Sequence, residues 1–433
     1  MRKFGFVCLM VLLASALIFT GCAKQEAPAP AADPNAPVTL TVWCWDPNFN
    51  IYAMNEAAKI YRRDHPNVTI NVVETPWDDV QQKLITALSA RQTDSLPDIL
   101  LMQDNAIQKN VLTYPGAFLP LNDRIDLSKF AQFKVDVGTI DGKSYGVPFD
   151  NGATGTFLRR DIVEQAGLKV EDFNDITWER FIELGKIVKQ KTGVTMVSTD
   201  ATGPDFIMVM LQSAGTWLFD AQGNTYIKDN PVLKRAISLF IEGVQSGVIL
   251  LASDWNAYIA TLNNGTVAST IQGCWIIGSI TAEASQAGNW ALVNTPRFGD
   301  IDSVNYSSQG GSGWMVLASS KNPDTAMDFL DKTFAGSVEL YETILPSSGA
   351  IATWLPAADS AVYGQPSEFF GGQRIYEELV NYAGKVPMVK YGVFNYEARS
   401  AVTRGMMDIM QGTKTIDDAL SAAQEEVEFL VAQ

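Results

Sequence analysis

The fold class this sequence predicts is α/β, in two lobes, each a mostly parallel sheet flanked by helices. Three observations carry that expectation. Short β-branched and aromatic runs alternate with segments whose apolar residues recur at helical spacing. About 395 residues follow the N-terminal leader, too many for a single hydrophobic core. No internal repeat and no low-complexity stretch interrupts them.

The elements follow in order from the leader. Arg2 and Lys3 give a basic start, Phe4 to Phe19 is apolar, and Thr20-Gly21-Cys22 supplies small residues before a cut. That order is a secretory signal, at about fifteen apolar residues too short to span a membrane. The small pair ending in Cys22 resembles the bacterial lipobox, whose cysteine is lipidated and becomes the new N-terminus; Phe19 stands where that motif usually has leucine. Ala23 to Pro37 is Ala- and Pro-rich and buries too little apolar surface to offset chain entropy, so it reads as a disordered tether of roughly 50 Å reach. No later run of about eighteen apolar residues offers a membrane span.

Val38-Thr39-Leu40-Thr41-Val42-Trp43-Cys44-Trp45 is a strand by composition, broken by Asp46-Pro47-Asn48. Met54, Ala57, Ala58 and Tyr61 then mark a helix that Pro66 stops. Val68 to Glu74 is a second strand, Asp78 is placed to cap a helix carrying Val80, Leu84 and Leu88, and Pro97 to Met102 is a third strand. Further on, Thr177 opens a helix ending near Gly193. Asn230-Pro231 and Asn322-Pro323 place a cap before a proline at the first helical position. Thr415 to Asp418 caps the last helix.

Composition excludes several functions. The formal net charge of −16 argues against nucleic acid or an anionic membrane as partner, since both ask for a basic surface. The one histidine, His65, sits at an expected helix end, and no Cys or His cluster has metal-ligand spacing, so no cofactor is expected. With Cys8 in the signal and Cys22 lipidated, Cys44 and Cys274 are left; each lies beside a tryptophan in an apolar run, as buried thiols do.

Taken in order, the pieces resemble the maltose-binding type of ABC-transporter solute-binding protein. The marks are Val42-Trp43, Pro97-Asp98-Ile99, Gly142 to Pro148 thirteen residues before Asp161, Thr177-Trp178-Glu179, Gly265 to Ala268 leading to Gly273-Cys274-Trp275, Gly310-Gly311 before Trp314 to Leu317, and Asn322-Pro323. Phe157 to Asp161 departs from the family's usual Tyr-Tyr-Asn-Lys-Asp. The resemblance implies a two-lobed periplasmic-binding-protein fold of type II, with ligand in the cleft between the lobes. Its expected plan is residues 1–21 as signal, 22–37 as lipidated cysteine and tether, 38–148 plus 296–345 as one lobe, and 149–295 plus 346–433 as the other. Crossings are expected near Pro148, Pro296 and Pro346. The implied function is extracytoplasmic binding of a sugar, an oligosaccharide by expectation, by a lipid-anchored monomer that delivers it to a permease. The rival class is a secreted glycoside hydrolase, which needs two carboxylates about 5–9.5 Å apart across the scissile bond.

A sugar offers C–H faces to aromatic rings and hydroxyls to Asp, Asn, Gln and Arg. Side chains of those types on loops after strands are Trp45 and Asp46, Trp77, Gln103 and Asp104, Asp150 and Asn151. Gly310 and Gly311 would bring bare backbone close to a ligand. The resemblance adds Trp275, which relatives stack on sugar, and Asn395, Tyr396 and Arg399 at a cleft-lining helix start, where Asn395 replaces a frequent tryptophan. Trp217 is a further candidate, as are Trp255, Trp314 and Trp354, each weighed against a place in the core; Trp43, Trp178 and Trp290 are assigned to packing.

Overall fold

Alternation along the first strand decides how its sheet is covered. In the computed structural model, which describes residues 36–201 and 204–432, strand β1 (Val38–Cys44) turns Leu40, Val42 and Cys44 to one side and Trp43 to the other. The leader signal, Cys22 and the tether lie outside the described residues, apart from Ala36 and Pro37. β2 (Val68–Glu74) pairs with β1 in parallel, Val38 opposite Val68, and β3 (Ile99–Gln103) joins β1 on its other flank. A small hairpin, β4 (Thr139–Ile140) with β5 (Lys143–Ser144), stands apart. β6 (Val147–Asp150) comes next. The chain then enters a different sheet with β7 (Thr154–Arg159), β8 (Thr195–Asp200), β9 (Ile249–Ala252), β10 (Val267–Gly273) and β11 (Trp290–Val293). β12 (Ser312–Val316) returns to the first.

The two five-stranded sheets have the orders β2-β1-β3-β12-β6 and β9-β8-β10-β7-β11. In each, three parallel strands are followed by one antiparallel strand and then a fifth that runs with the first three. The carboxyl ends of β1, β2, β3 and β6 therefore share an edge with the start of β12. The carboxyl ends of β8, β9, β10 and β11 share one with the start of β7. Open α/β sheets offer their ligand-binding loops at such edges.

Three apolar layers cover the sheets. Trp43, Leu100, Met102, Met315 and Leu317 pack under the helix Trp77–Ala90 with Val80 and Leu84. The other side of the first sheet, with Leu101, Phe149 and Trp314, continues into Cys274, Ile276, Ile277 and Ile280 after β10, so the two sheets share core on that side. The far side of the second sheet buries Trp178, Phe181, Leu184 and Val188 of the helix Trp178–Thr192. The exposed edge of β11 is closed by a side chain: Gln373 accepts from Leu292 N at 2.8 Å and donates to Leu292 O at 2.7 Å, standing in for a sixth strand.

Most helix signals act as read. Thr177 Oγ1 accepts from Arg180 N, Asn230 Oδ1 from Val232 N and Leu233 N, and Thr415 Oγ1 from Asp418 N; Gly193 ends its helix at φ 77°. Others differ. Asp78 is not a cap: Pro76 precedes the helix, and Asp78 and Asp79 sit in its first turn, where they favour the positive end of the dipole. Asn322 makes no side-chain cap bond. Pro346 lies inside the helix Val338–Ser348, and the break comes at Gly349 (φ 74°). Cys44 and Cys274 are free and fully buried, and burial pushes both thiols far up.

Candidate functional site

Burial sorts the ten tryptophans. Trp43, Trp178, Trp217, Trp290, Trp314 and Trp354 are buried at 8% exposure or less. Trp45, Trp77, Trp255 and Trp275 are only partly buried, and all four stand on the loops or helix starts beyond the strand ends described above. They form two pairs. Trp45 and Trp77, after β1 and β2, lie 5.2 Å apart; Trp255 and Trp275, after β9 and β10, lie 5.6 Å apart. Each sheet thus carries one aromatic pair at its edge. Trp275 is held by its indole N–H, which donates to Gln309 O at 2.9 Å. Gly273 allows this geometry, because a Cβ there would overlap the Trp275 ring.

The same edge carries a buried charged network at β3, β12 and β6. Lys134, 3% exposed on the short helix Gln132–Val137, is ion-paired with Asp104 and reaches Ser312 O at 3.4 Å. Asp150, 1% exposed, accepts from Ser312 Oγ at 2.6 Å. Burial raises the Asp104 carboxyl to about 6 against the opposing pull of Lys134, and burial likewise raises Asp150. Gly311, at φ 88°, lies against this group, and a Cβ there would strike the Asp104 carboxylate. Asp104 and Asp150 are therefore an interior network bound to Lys134 and Ser312.

The loop after β1 has a local organiser. Asn50 Oδ1 accepts from Trp45 N and Asp46 N, both at 3.0 Å, while Asp46 Oδ1 accepts from Asn48 N at 2.9 Å. Burial raises the Asp46 carboxyl, with the Asn48 amide pulling the other way. Asn151, at the passage between sheets, accepts from Ala153 N at 2.9 Å and so shapes that turn.

The structure places Trp217 away from an open wall. It is 4% exposed, its N–H donates to Asn395 Oδ1 at 2.8 Å, and its ring meets Tyr391 edge-on at 5.0 Å. A buried indole needs an acceptor, and Asn395, itself fully buried, supplies it. Both residues serve the core behind the edge. Trp314 and Trp354 are core as well. Tyr396 and Arg399 are partly buried on the same helix, Asn395–Met410. Tyr396 donates to Gln103 and to Asn105 Oδ1 (2.7 Å) after β3, its ring lies 5.9 Å from Trp77, and Arg399 pairs with Asp205 and lies 5.6 Å over Tyr396. Beyond Tyr396, Gln81, Gln82, Ser400 and Arg404 line a groove of about 400 Å³.

Sequence reading did not find Lys134, Asp205 or Asn50. A single lysine in Gln132-Phe133-Lys134 carries no signal, because its partner is thirty residues away. Trp255 had a usable one: it follows Ser253-Asp254 directly after β9, as Trp45 follows β1.

Two sheets of one topology, bridged by loops and bearing aromatic pairs at adjoining edges, define a two-lobed cleft protein. The chain belongs to the bacterial extracellular solute-binding protein family, whose profile matches residues 56–370. It is 42% identical over 387 residues to a lactose-binding protein of Rhizobium radiobacter, covering 89% of this chain and 92% of that relative. It is 25% identical to an arabinooligosaccharide-binding protein of Halalkalibacterium halodurans, covering 87% and 86%. In fold it is similar to the GacH receptor of Streptomyces glaucescens, solved unliganded and with acarbose (TM-score 0.78, 18% identity, 92% and 99% covered). It is similar also to a binding protein of B. animalis subsp. lactis solved with beta-1,6-galactobiose (TM-score 0.76, 19% identity, 90% and 96% covered). The fold is the two-lobed α/β fold expected from the sequence. Among the described residues no helix is long and apolar enough to cross a membrane.

Proposed function

We propose that this protein captures a short saccharide outside the cytoplasmic membrane and hands it to an ABC importer, without catalysis. The observation that carries this reading is the pair of aromatic pairs, Trp45 with Trp77 and Trp255 with Trp275, one at each sheet edge. Flat rings on both sides of a cleft suit a ligand with C–H faces on more than one sugar ring. The ligand named for the relative at 42% identity, lactose, is a disaccharide and makes the first candidate. The lobes follow 38–148 with 296–345 and 149–295 with 346–433, save that β6 keeps Phe149 and Asp150 with the first sheet and Phe298 and Ile301 pack with the second, and they close on the ligand as a shift between open and closed populations. The engagement of Asp104 and Asp150 with Lys134 and Ser312 supports binding over glycoside hydrolysis. Cys22 anchors the monomer through lipid, and two acyl chains hold firmly where one holds marginally.

The test is a thermal-shift panel of lactose, galactobiose, maltose and arabino-oligosaccharides. A true ligand at a hundredfold excess over Kd stabilises the protein by about 2.7 kcal/mol. No shift with any saccharide would remove the reading, and release of monosaccharide during incubation would replace it with hydrolysis. For the anchor, Cys22→Ala is expected to move the protein from the membrane fraction to the soluble one; a variant that stays on the membrane refutes lipidation at that residue.

A further inference from the structure

One end of the cleft is bridged by side chains from opposite lobes that bond to each other. Lys109 stands on the helix Asp104–Thr113, which follows β3 of the first sheet. Glu397 stands on the helix Asn395–Met410, which packs with Ala398, Ala401 and Val402 in the core of the second. The two side chains are ion-paired, each about a quarter exposed at 26% and 25%. Beside them Tyr396 reaches Gln103 and Asn105. A phenol has one proton, so it donates to one of these two oxygens at a time and exchanges between them.

The pair is poised rather than fixed. Burial lowers the Lys109 ammonium, and Glu397 Oε2 is buried with no partner, so desolvation offsets part of the attraction. Such a contact favours the joined arrangement by a small margin and is readily broken.

Resting on the proposed saccharide-binding function, we infer that Lys109–Glu397 together with Tyr396 and its two acceptors is a latch between the lobes, built of positioning residues. The latch holds the cleft shut around a ligand that Lys109 and Glu397 do not touch. It sets how long the ligand stays by biasing the open–closed equilibrium. Recognition then lies in the aromatic pairs, and the latch adds residence time to it. The ionic part of the latch weakens as salt rises, because partly exposed charges are screened with a Debye length of about 8 Å at physiological ionic strength.

The experiment compares wild type, Glu397→Gln and the charge swap Lys109→Glu/Glu397→Lys, using lactose as probe. Dissociation is followed by stopped flow, and lobe separation by small-angle scattering with and without sugar, at low and high salt. Expected for Glu397→Gln is release about 1.4- to fivefold faster, the range for a partly exposed ion pair, with a flattened salt dependence. The swap is expected to restore both. Sugar-free Glu397→Gln should scatter as a more open particle than wild type at low salt, and high salt should bring wild type toward it. Unchanged release and scattering in Glu397→Gln overturn the latch. Slowed binding that the swap does not rescue also overturns it, since the side chains then act on ligand directly. If wild type binds no lactose, the functional reading is what fails for that sugar, and the sugar-free scattering still decides the latch.

Discussion

The two sheets share one strand pattern and differ in what their edges hold. At the first, the edge holds Trp45 and Trp77 after β1 and β2 and an interior network of Asp104, Lys134, Asp150 and Ser312 at β3, β12 and β6. At the second, Trp255 stands beside Trp275 and Tyr258, whose hydroxyl bonds Thr270 and feels the carboxylates of Asp205 and Asp200. The same backbone plan is thus furnished with a buried ion pair in one lobe and a buried hydroxyl pair in the other. The difference teaches that the strand pattern fixes where a ligand edge lies, while loops and single buried side chains decide its chemistry.

The comparison breaks most visibly at Lys134. Lys134→Met leaves Asp104 and Asp150 buried without their cation, and losing one partner of a buried pair costs about 3–5 kcal/mol. Gln272→Leu in the other lobe removes a buried amide whose Oε1 has no partner, so it should cost less than about 1 kcal/mol. Denaturant midpoints for the two variants check the contrast; equal losses would mean the charged network carries no special burden.

Acidification sharpens the same point. Asp104 is raised to about 6 in the folded protein, above the ordinary value near 3.9 of an unfolded chain. Between those values the folded state binds the extra proton. This group's contribution to stability therefore grows as pH falls from about 7 to about 4 and is lost as pH rises again. The unfolding free energy of wild type minus that of Asp104→Asn should rise on acidification through that window. A flat difference would mean that Asp104 titrates as a solvated carboxylate.

A smaller effect is expected at Asp46. Asp46→Asn keeps an acceptor for the Asn48 amide and relieves a buried charge, so stability should change by less than about 1 kcal/mol. Saccharide affinity should fall less than with Trp45→Ala. A loss as large as the tryptophan's would make the carboxylate itself a ligand contact.

These cases also show what the chain reveals before folding. β1, β3 and the helices capped by Thr177 and Asn230 were legible because propensity, alternation and caps act within a few residues. Trp45 was legible as a candidate because it directly follows a strand, and Trp275 through the family resemblance. Trp217 was not separable from Trp255, since the buried acceptor of Trp217 is Asn395, 178 residues along the chain. Asp104 and Asp150 were found as polar residues after strands, but their engagement with Lys134 and Ser312 depends on elements brought together only by the sheet. Asp78 misled because Pro76 begins the helix two residues earlier than a cap at Asp78 would.

The central claim is that one saccharide is held from both edges at once. Calorimetric titration of lactose into wild type, Trp45→Ala and Trp275→Ala, with melting temperatures for the same three proteins, tests it most directly. The expected result is that each truncation weakens binding by about ten- to hundredfold, some 1–3 kcal/mol. Melting should change far less than for Trp314→Ala, whose fully buried ring should cost about 3–5 kcal/mol. A saccharide whose affinity depends on only one of the two tryptophans, with both variants still folded, would place the ligand in a single lobe and contradict the account.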